Sequence, residues 1–374
     1  YMVIDWRADH SFRLPRPDLS ASLGVPNACT QSGCHDDRPL QWSIDAWNRW
    51  YGEARRPHFG TAFAAAREGD PSGLVEIVQS PLQPALVRAT ALELLAVEGA
   101  ESLYELCAAL LLAPESILRH TAVTHLPLLD PAEFAQRVAP LLADPAKAVR
   151  MAASSRLAAV DTALLADYQL ADLDRGFTEY RASLEANLDF AHAAMNLGTL
   201  SARLGDQAEA ERYLRQALVV DDRFVPARAN LAVLLAGGGR DAEATALLEE
   251  GVRLTPEEPE LWRMLGLMYA GPPDPSRGLE PLRRAVELNP RDARAHYNLG
   301  LLMDQLGDLD GAERHLGAAL EIVPRSPDFL YALAEHYLRR KMFDEVIPLA
   351  DRLTELLPDQ PIGAQMRQAA EAGN

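Results

Sequence analysis

Two cysteines and a histidine stand close together near the start of the chain, in the stretch Cys29-Thr-Gln-Ser-Gly-Cys34-His35. Two thiols followed directly by a histidine form the pattern by which haem is attached covalently, usually with two residues between the cysteines; here there are four. Each thiol then forms a thioether to one vinyl group, and the histidine binds the iron. The stretch therefore predicts haem c bonded through Cys29 and Cys34, with His35 as the proximal iron ligand.

The same residues permit two other interpretations. Thiolates and imidazoles also bind zinc, and Cys29, Cys34, His35 and His10 make a conceivable set of two cysteines and two histidines. Adjacent side chains such as Cys34 and His35 can hardly bind one tetrahedral ion without strain, and structural zinc sites favour well-spaced pairs. A degenerate or disulfide-bonded relic of a haem site is the remaining alternative.

A haem held in this way has a sixth ligand position, and the group that fills it sets potential and reactivity. His10, in a loop restrained by Pro15 and Pro17, is the first candidate. His58 is the second candidate and Met2 the third. His10 can instead bind a haem that belongs to an upstream segment or to a neighbouring chain. Two axial histidines would leave no open iron position, which favours electron transfer over catalysis.

An aromatic helix is predicted directly after this motif, from the spacing of Trp42, Trp47 and Trp50. These rings are candidates to cover the haem edge, and Trp42 is counted among the predicted cofactor-binding residues. The alternative is plain core packing, which is common for aromatic residues at helical spacing. Three arginines of the same region are candidates to pair with the haem propionates: Arg13, Arg16 and Arg38.

The composition of the whole chain limits the classes of function. The 374 residues are 48% hydrophobic and carry a net charge of −18, so a core can form and binding to nucleic acid is disfavoured. No apolar run reaches the roughly 18 residues of a membrane-spanning helix. No serine-histidine-aspartate set, phosphate loop or paired-carboxylate motif rises above chance, so we predict an electron carrier rather than an enzyme.

The remaining cysteine and the first residue lead to two further expectations. Three cysteines are an odd number, which argues against a disulfide framework. Cys107 stands alone in an apolar stretch and is predicted to be a buried core residue. Because the chain begins at Tyr1, we expect either that a targeting segment has been removed or that the sequence is part of a longer protein.

The C-terminal half repeats with a step of 34 residues. The repeat is visible in one tripeptide: Asn196-Leu197-Gly198, Asn230-Leu231-Ala232, Met264-Leu265-Gly266, Asn298-Leu299-Gly300 and Ala332-Leu333-Ala334. Prolines recur at the same step: Pro256, Pro290, Pro324 and Pro358. A period of this length is typical of helix–turn–helix units that stack on one another, because no single unit buries its own apolar face.

The stretch LWRMLGLMY places Trp262, Leu265, Gly266 and Tyr269 at the spacing of the tetratricopeptide repeat, which residues 190–360 resemble. The small residue lets two antiparallel helices approach closely, the leucine fills the gap between them, and the proline ends the second helix. The resemblance predicts five stacked helix pairs. The stretch IGAQMRQAAEAGN is expected to form a polar closing helix.

Arrays of this family generally bind other proteins along a concave groove lined by the first helix of each unit. The groove-facing candidates are His192, Arg263, Arg294, Tyr297 and Asn298. The alternative for any one of them is ordinary solvated surface. Residues 161–189 are expected to form a degenerate leading repeat.

A second repeat, with a step of 31 residues, lies between residues 60 and 160. The segments LVRATALELLAV, ILRHTAVTHLPLL and AVRMAASSRLAAV align on three arginines: Arg88, Arg119 and Arg150. This pattern resembles the HEAT-type helical repeat, in which a proline opens the inner helix and the arginine connects neighbouring units. His120 and His125 are predicted to be core or surface residues rather than haem or metal ligands, because their spacing is poor for one helix face.

The segments YMVIDWRADHSFRLPRPDLSASLGVPNAC and WNRWYGEARRPHFGTAFAAAREGDPSG flank the cysteine motif. Together with the repeats they resemble a family of bacterial c-type cytochromes with C-terminal tetratricopeptide repeats, over the whole chain and in the same domain order. The chain departs from the family in its cysteine spacing. The family also commonly has further haem motifs upstream, so the chain is expected to be the C-terminal part of a multihaem cytochrome or a relative that has lost those haems.

The resemblance implies an all-α chain with a haem-binding segment at residues 1–58, HEAT-like repeats at 59–160 and a tetratricopeptide solenoid at 161–374. It implies electron transfer, with other redox proteins or haem-bearing subunits as partners, a protein ligand in the groove, and assembly into a homo-oligomer or filament. Covalent haem is attached outside the cytoplasm, so the expected location is periplasmic or extracellular. The alternative is a non-redox interaction scaffold with a degenerate haem or zinc-binding head.

Overall fold

The structure, a computed structural model, describes residues 16–27, 35–54, 57–98 and 102–373. Over these ranges the chain consists of α-helices and three short 3₁₀ turns, with no strand among the described residues. The predicted all-α fold class is therefore confirmed. None of the described helices combines the length and the apolar character that a membrane span requires.

The chain divides into two compact units, residues 1–183 and residues 184–374. The boundaries predicted at residues 58 and 160 both fall inside the first unit and stay predictions about its repeat types. The described helices that begin in this unit are α1 (Pro17–Leu23), α2 (Leu40–Tyr51), α3 (Phe59–Arg67), α4 (Ser72–Gln79), α5 (Ala85–Glu98), α6 (Leu103–Leu110), α7 (Ser116–His125), α8 (Pro131–Val138), α9 (Lys147–Leu157) and α10 (Asp167–Glu185).

Helices α4 to α9 form three successive pairs, α4 with α5, α6 with α7 and α8 with α9. Helices α5, α7 and α9 also contact one another in order and so form a continuous row. Each helix of this row begins shortly after a proline: Pro84, Pro114 or Pro145. Proline suits these positions because its fixed φ angle favours the turn into a helix and its nitrogen needs no hydrogen-bond acceptor.

Arg119 connects neighbouring pairs of this row. Its guanidinium donates to the Ala113 and Pro114 carbonyls, at 2.7 and 2.8 Å, just before its own helix. It also binds both carboxylate oxygens of Asp144, at 2.7 and 3.0 Å, in the turn before α9. Burial alone would raise the pKa of Asp144, but the hydrogen bonds from Arg119 and from the Ala146 backbone N–H hold that pKa below its usual value.

Arg150 repeats the arrangement one pair later. It donates to two backbone carbonyls before its own helix, at 2.8 and 3.2 Å, and to both carboxylate oxygens of Glu179 on α10, at 3.0 and 2.7 Å. Arg88, in the first pair, donates to the Val78 carbonyl at 2.9 Å. The second and third arginines of the 31-residue repeat therefore form charge-assisted hydrogen bonds to the next part of the row, whereas Arg88 bonds within its own pair.

The second unit is an array of helix pairs. Its helices are α11 (Ala191–Arg203), α12 (Gln207–Val220), α13 (Val225–Gly237), α14 (Asp241–Leu254), α15 (Pro259–Tyr269), α16 (Leu279–Leu288), α17 (Ala293–Gln305), α18 (Leu309–Ile322), α19 (Pro327–Arg339), α20 (Phe343–Leu356) and α21 (Ile362–Gly373). The odd-numbered helices α11 to α19 are the first helices of the pairs, the even-numbered ones are the second helices, and α21 packs on the last pair.

Small residues bring the two helices of a pair close together. At three equivalent positions an added Cβ atom would lie 2.6 to 2.8 Å from the Cγ atom of a leucine on the second helix: Gly198 against Leu214, Gly266 against Leu282 and Gly300 against Leu316. Alanine stands at this repeat position in two other pairs, at Ala232 and Ala334, and both are buried. The structure thus supplies the packing reason for the small residue of the 34-residue repeat.

The turn before each first helix leaves a backbone carbonyl that needs a donor. In three turns the donor is the side chain six residues after this carbonyl, and the type of side chain differs. Arg228 donates to the Asp222 carbonyl at 2.7 Å, Trp262 to the Pro256 carbonyl at 2.8 Å and His296 to the Pro290 carbonyl at 3.2 Å. In the last pair this position is Leu330, and Arg352 of α20 donates to the Pro324 carbonyl instead. The carbonyl is paired in each of these turns, by whichever donor the sequence offers.

His296 also contacts a second histidine. Its Nδ1 atom lies 3.0 Å from the Nδ1 atom of His315 on α18. Because the Pro290 carbonyl can only accept, the Nε2 atom of His296 is assigned the proton, and the Nδ1 atom of a neutral His296 must accept from His315. Burial, and then the neighbouring His296, lower the pKa of His315.

Replacing Asp144 with alanine should destabilise the first unit by about 3–5 kcal/mol, because the substitution leaves a largely buried guanidinium without its carboxylate. The Arg119 and Asp144 side chains are 13% and 4% exposed. Urea unfolding followed by circular dichroism measures the loss. The control is Glu287→Ala, which removes one partner of the exposed pair with Arg284 and should cost less than about 1 kcal/mol. Equal losses in the two variants would contradict the structural role of the buried pair.

Acidification should destabilise the pair of α17 and α18. The pKa of His315 in the folded state is below the ordinary value of 6.5, so the unfolded chain binds more protons. The neutral His315 side chain therefore makes its whole contribution to stability above a pH of 6.5, and this contribution is lost as the pH falls through the pKa of the folded state. Thermal unfolding at about pH 7.5 and about pH 5 should show a smaller change in Tm for His315→Gln than for wild type. His192→Gln, at an exposed position, should behave like wild type, and an unchanged pH response in His315→Gln would refute this role.

Candidate partner-binding surface

Most of the first helices of the second unit lie side by side along one face of the array. α11 contacts α13, α13 contacts α15, α17 contacts α19, and α19 contacts α21. No comparable contact joins successive second helices among the described helices of this unit. A stack of repeats curves toward the row whose members are closer together. The first-helix row is therefore the inner, concave side of the second unit.

Three exposed aliphatic residues mark this concave side. Val233 on α13, Leu267 on α15 and Leu301 on α17 occupy the same position of the 34-residue repeat. Their exposed fractions are 63%, 45% and 37%. The solvent-facing side of an amphipathic helix is normally polar, so three aliphatic residues in register need an explanation. We call these three residues the first-helix stripe.

An open cavity of about 300 Å³ lies at one end of the first-helix stripe, between α11 and α13. Thr199 and Ala202 of α11 and Asn230, Val233 and Leu234 of α13 contribute to its lining. Asn230 donates to the Thr199 hydroxyl at 3.4 Å. The volume is at the lower end of the range of ligand pockets, which suits a single large side chain. Because Val233 lines this cavity together with α11, its repeat position faces the concave side.

Two of the five groove residues predicted from the sequence, His192 and Arg294, are exposed. Arg263 forms an ion pair on its own helix with Glu260, at 2.5 Å. Asn298 is partly buried. The exposed pair remains accessible to a partner, and Arg263 would have to exchange its partner to bind one.

The first-helix stripe is absent from the residues predicted to face the groove, which are all polar or aromatic. The signal was present, since Val233, Leu267 and Leu301 recur at the 34-residue step beside positions already assigned to the groove. Tyr297, which was selected, packs instead against Phe329 of the next first helix, with ring centroids 4.9 Å apart. Its ring therefore contributes to packing between repeats.

Several of the predicted haem residues, including both cysteines, lie outside the described part of the chain. Cys29, Cys34, His10, Arg13 and the third ligand candidate Met2 are all in this group. The haem attachment, the sixth ligand and the zinc and disulfide alternatives stay predictions.

The described residues on either side of the cysteines both contact the start of α2. His35 is exposed, and its ring lies against Trp42 with centroids 4.6 Å apart and planes at 50°. On the other side, Asn27 is buried and donates to the Ser43 hydroxyl at 2.9 Å. The structure thus brings together His35 and Trp42, two of the predicted cofactor-binding residues.

Two other predicted residues have local partners. The Arg16 guanidinium binds the Asp18 carboxylate at 2.8 to 3.2 Å, so a haem propionate would have to compete with that carboxylate. His58 precedes α3, and its Nδ1 atom accepts from the Gly60 backbone N–H at 3.0 Å. In a neutral ring the proton is then on Nε2, and a protonated nitrogen cannot bind iron. This geometry favours His58 as a helix cap over a sixth ligand.

Helix α2 buries little of its aromatic surface. Ser43 is the one residue of this helix that is fully buried, and Trp50 is 70% exposed. Trp47 packs against Tyr51, with ring centroids 4.5 Å apart. Core packing and a cover for the haem edge both stay open as interpretations of the aromatic residues of α2.

The remaining sulfur and imidazole groups of the first unit are structural. Cys107 is buried, and burial raises its pKa to about 12, so it is a core residue as predicted. His125 lies 3.5 Å from Glu93, while burial and then His125 lower the pKa of the partly buried His120. Within the described ranges, no group of three or more histidine, cysteine, aspartate or glutamate side chains is arranged to hold a metal ion.

Family comparisons agree with the repeat pattern of the second unit. One tetratricopeptide repeat (TPR) family model matches residues 201–268 and 305–370, and another matches residues 282–314. No curated protein matches the chain.

Several solved structures are similar to about half of the chain. YrrB, described as a TPR protein with an unusual peptide-binding site, is 23% identical with a TM-score of 0.40, over 50% of this chain and 97% of YrrB. TTC0263, a thermophilic TPR protein of Thermus thermophilus, is 26% identical with a TM-score of 0.38, over 49% and 98%. MamA of Desulfovibrio magneticus RS-1 is 22% identical with a TM-score of 0.39, over 46% and 96%. From the family matches, the second unit of this chain contains tetratricopeptide repeats.

Proposed function

We propose that the chain is a protein–protein interaction scaffold whose second unit binds a partner on its concave side. Tetratricopeptide repeats suit protein–protein interaction, and the observation that supports this site is the first-helix stripe of Val233, Leu267 and Leu301. This function is the non-redox alternative of the sequence analysis. It concerns the second unit alone and does not depend on what the N-terminal segment binds.

The physical support is the cost of leaving this surface in water. Covering apolar surface is favourable by roughly 25 cal/mol per Å², and contiguous apolar patches on soluble proteins commonly mark sites of interaction. The stripe extends over three consecutive first helices and has an open cavity at one end. Exposed His192 and Arg294 lie on the same row of helices and supply a polar edge. An apolar centre with a polar rim is the usual anatomy of a protein interface.

Substituting Leu267 with arginine should reduce partner binding by about tenfold or more, because it places a charge at the centre of an apolar interface. The measurement is quantitative mass spectrometry of proteins cross-linked to the tagged chain in its source cells. The matched control is Val219→Arg on α12, where the valine is 86% exposed. Both sites are solvent-accessible, so both variants should fold. Recovery of the same partners at wild-type levels with Leu267→Arg would show that the stripe is not the binding surface.

A second candidate function concerns the N-terminal segment, which we propose to hold haem c. The observation that favours it is the exposed imidazole of His35 lying against Trp42 directly after Cys34. Cys29 and Cys34 would form the thioethers, and His35 would bind the iron. The haem would supply one-electron transfer to other redox proteins or haem-bearing subunits. This candidate includes a periplasmic or extracellular location, because covalent haem is attached outside the cytoplasm.

Protein matured in its source cells should retain haem on a denaturing gel and after acid-acetone extraction, with a Soret band and sharp visible bands. The double substitution Cys29→Ala and Cys34→Ala should abolish the covalent haem, because it removes both thioethers. Cys107→Ala, at a buried cysteine of the core, should retain it. Absence of haem from the matured wild-type protein would eliminate this candidate and leave the scaffold function untouched.

A further inference from the structure

We infer that the occupant of the first-helix stripe is an amphipathic helix of a partner protein, with one large apolar side chain in the cavity and further aliphatic side chains seven residues apart. The inference rests on the proposed scaffold function and adds the chemistry of the partner. The evidence is the spacing of the stripe, the small residues beside it, its polar limits and the charge of the chain.

The spacing of the stripe matches a helix. Packed helices have axes about 8–10 Å apart, so equivalent side chains on consecutive first helices are separated by about 10 Å. In an α-helix, residues seven apart lie on one face and are separated by about 10.5 Å. Alternate residues of an extended strand are only about 6.7 Å apart. A strand therefore cannot place successive inward side chains against Val233, Leu267 and Leu301, whereas a helix can.

A polyproline II segment also has a repeat of about 9 Å, but the chemistry of the surface disfavours it. Such segments bind in grooves lined by aromatic rings. The stripe is aliphatic at each of its three positions, Val233, Leu267 and Leu301. Aliphatic grooves bind the apolar face of amphipathic helices.

The surface next to the stripe leaves room for a helix. One turn after Val233 the chain has Ala236 and Gly237, and the equivalent residues after Leu267 are Ala270 and a further glycine. A Cβ atom added at Gly237 would meet no atom within 4 Å. A bound helix has a diameter of about 10 Å with its side chains, so small residues at these positions let it approach closely.

Polar residues limit the stripe at both ends. The same repeat position is Thr199 on α11 and Glu335 on α19. Glu335 is also ion-paired with Arg339, at 3.5 Å. The apolar surface thus extends over α13, α15 and α17, a distance of about 20 Å. A helix of about 14 residues covers this length at 1.5 Å per residue.

The cavity fixes the position of that helix. It lies at the Thr199 end of the stripe, and apolar Ala202, Val233 and Leu234 contribute to its lining beside Thr199, Asn230 and Arg203. A large side chain such as leucine, methionine or phenylalanine fills it, and side chains seven and fourteen residues away then meet Leu267 and Leu301. Buried anchors of this kind dominate the energy of an interface.

The acidic charge of the chain as a whole attracts a bound helix with a basic polar face, which would lie away from the basic rim residues His192 and Arg294. The net charge is −18, and opposite charges on two partners increase their association rate. Added salt screens this attraction over distances of about 10 Å. Affinity should therefore decrease moderately with salt while the apolar contacts persist.

The test uses the full chain and three fluorescent peptides of about 20 residues. The first is a lysine-rich amphipathic helix with a phenylalanine anchor at position i and leucines at i+7 and i+14. The second has the same composition in scrambled order, and the third is a proline-rich polyproline II peptide of equal charge. Fluorescence anisotropy should give a Kd of about 1–50 µM for the first peptide and at least tenfold weaker binding for the other two.

Two variants connect binding to the site. Ala202→Leu fills the cavity from the protein side and should weaken binding of the helical peptide about tenfold. Ala246→Leu makes the same change at an exposed position of α14 and should leave Kd unchanged. Leu267→Lys, at an exposed site that does not affect folding, should also weaken binding about tenfold or more. A circular dichroism spectrum with more helix in the complex than in the separated molecules completes the expected result.

Each other outcome overturns the inference. Preferential binding of the proline-rich peptide would identify the ligand as a polyproline II segment. Self-association that is lost in Leu267→Lys would identify it as a second copy of the chain. Binding that is unchanged in Ala202→Leu and Leu267→Lys would place the peptide elsewhere. Absence of binding by any peptide, together with cross-linked partners lost in Leu267→Arg, would reject the helix while the scaffold function stands.

Discussion

The close approach of the two helices in each pair determines the rest of the second unit. Gly198, Gly266 and Gly300 face leucines at distances that exclude any side chain larger than hydrogen. This contact fixes the rotation of the first helix about its axis. The next residue along the chain points about 100° away, toward the concave side, and these next residues include Leu267 and Leu301. The contact that holds the two helices of a pair together therefore also determines that the first-helix stripe faces the concave side.

The sequence predicts those parts of the fold in which the same type of residue recurs at a fixed step. The 34-residue step of small residues and prolines predicts the helix pairs, and the 31-residue step of arginines predicts the connections between pairs of the first unit. The donors to the turn carbonyls could not be predicted, because Arg228, Trp262 and His296 differ in chemistry. A shared backbone requirement, rather than a shared side chain, unites them. Only the structure shows that these residues have the same role.

The candidate site was predicted less well than the fold, for a physical reason. Sequence reasoning assigns aliphatic residues of a helix to the core, and it searches for function among polar residues. Val233 and Leu267 break this rule because the buried face of the helix is already filled. His58 shows another limit: its residue type predicts iron binding, and only the structure shows that its Nδ1 atom accepts from the first turn of α3. Residue type predicts the possible chemistry, and position in the fold selects among the possibilities.

The two ends of the first-helix stripe differ in a way that gives the surface a direction. The array becomes more polar where α17 meets α19: Asp304 on α17 binds the fully buried His336 at 2.6 Å and also Arg339. A buried carboxylate requires such partners, so the residues around Asp304 must stay polar. At the other end, the cavity beside Ala202 has no carboxylate among its lining residues and offers room for one apolar side chain beside Thr199, Asn230 and Arg203. A bound segment that is apolar at one terminus and polar at the other would therefore be held in a single orientation along the row.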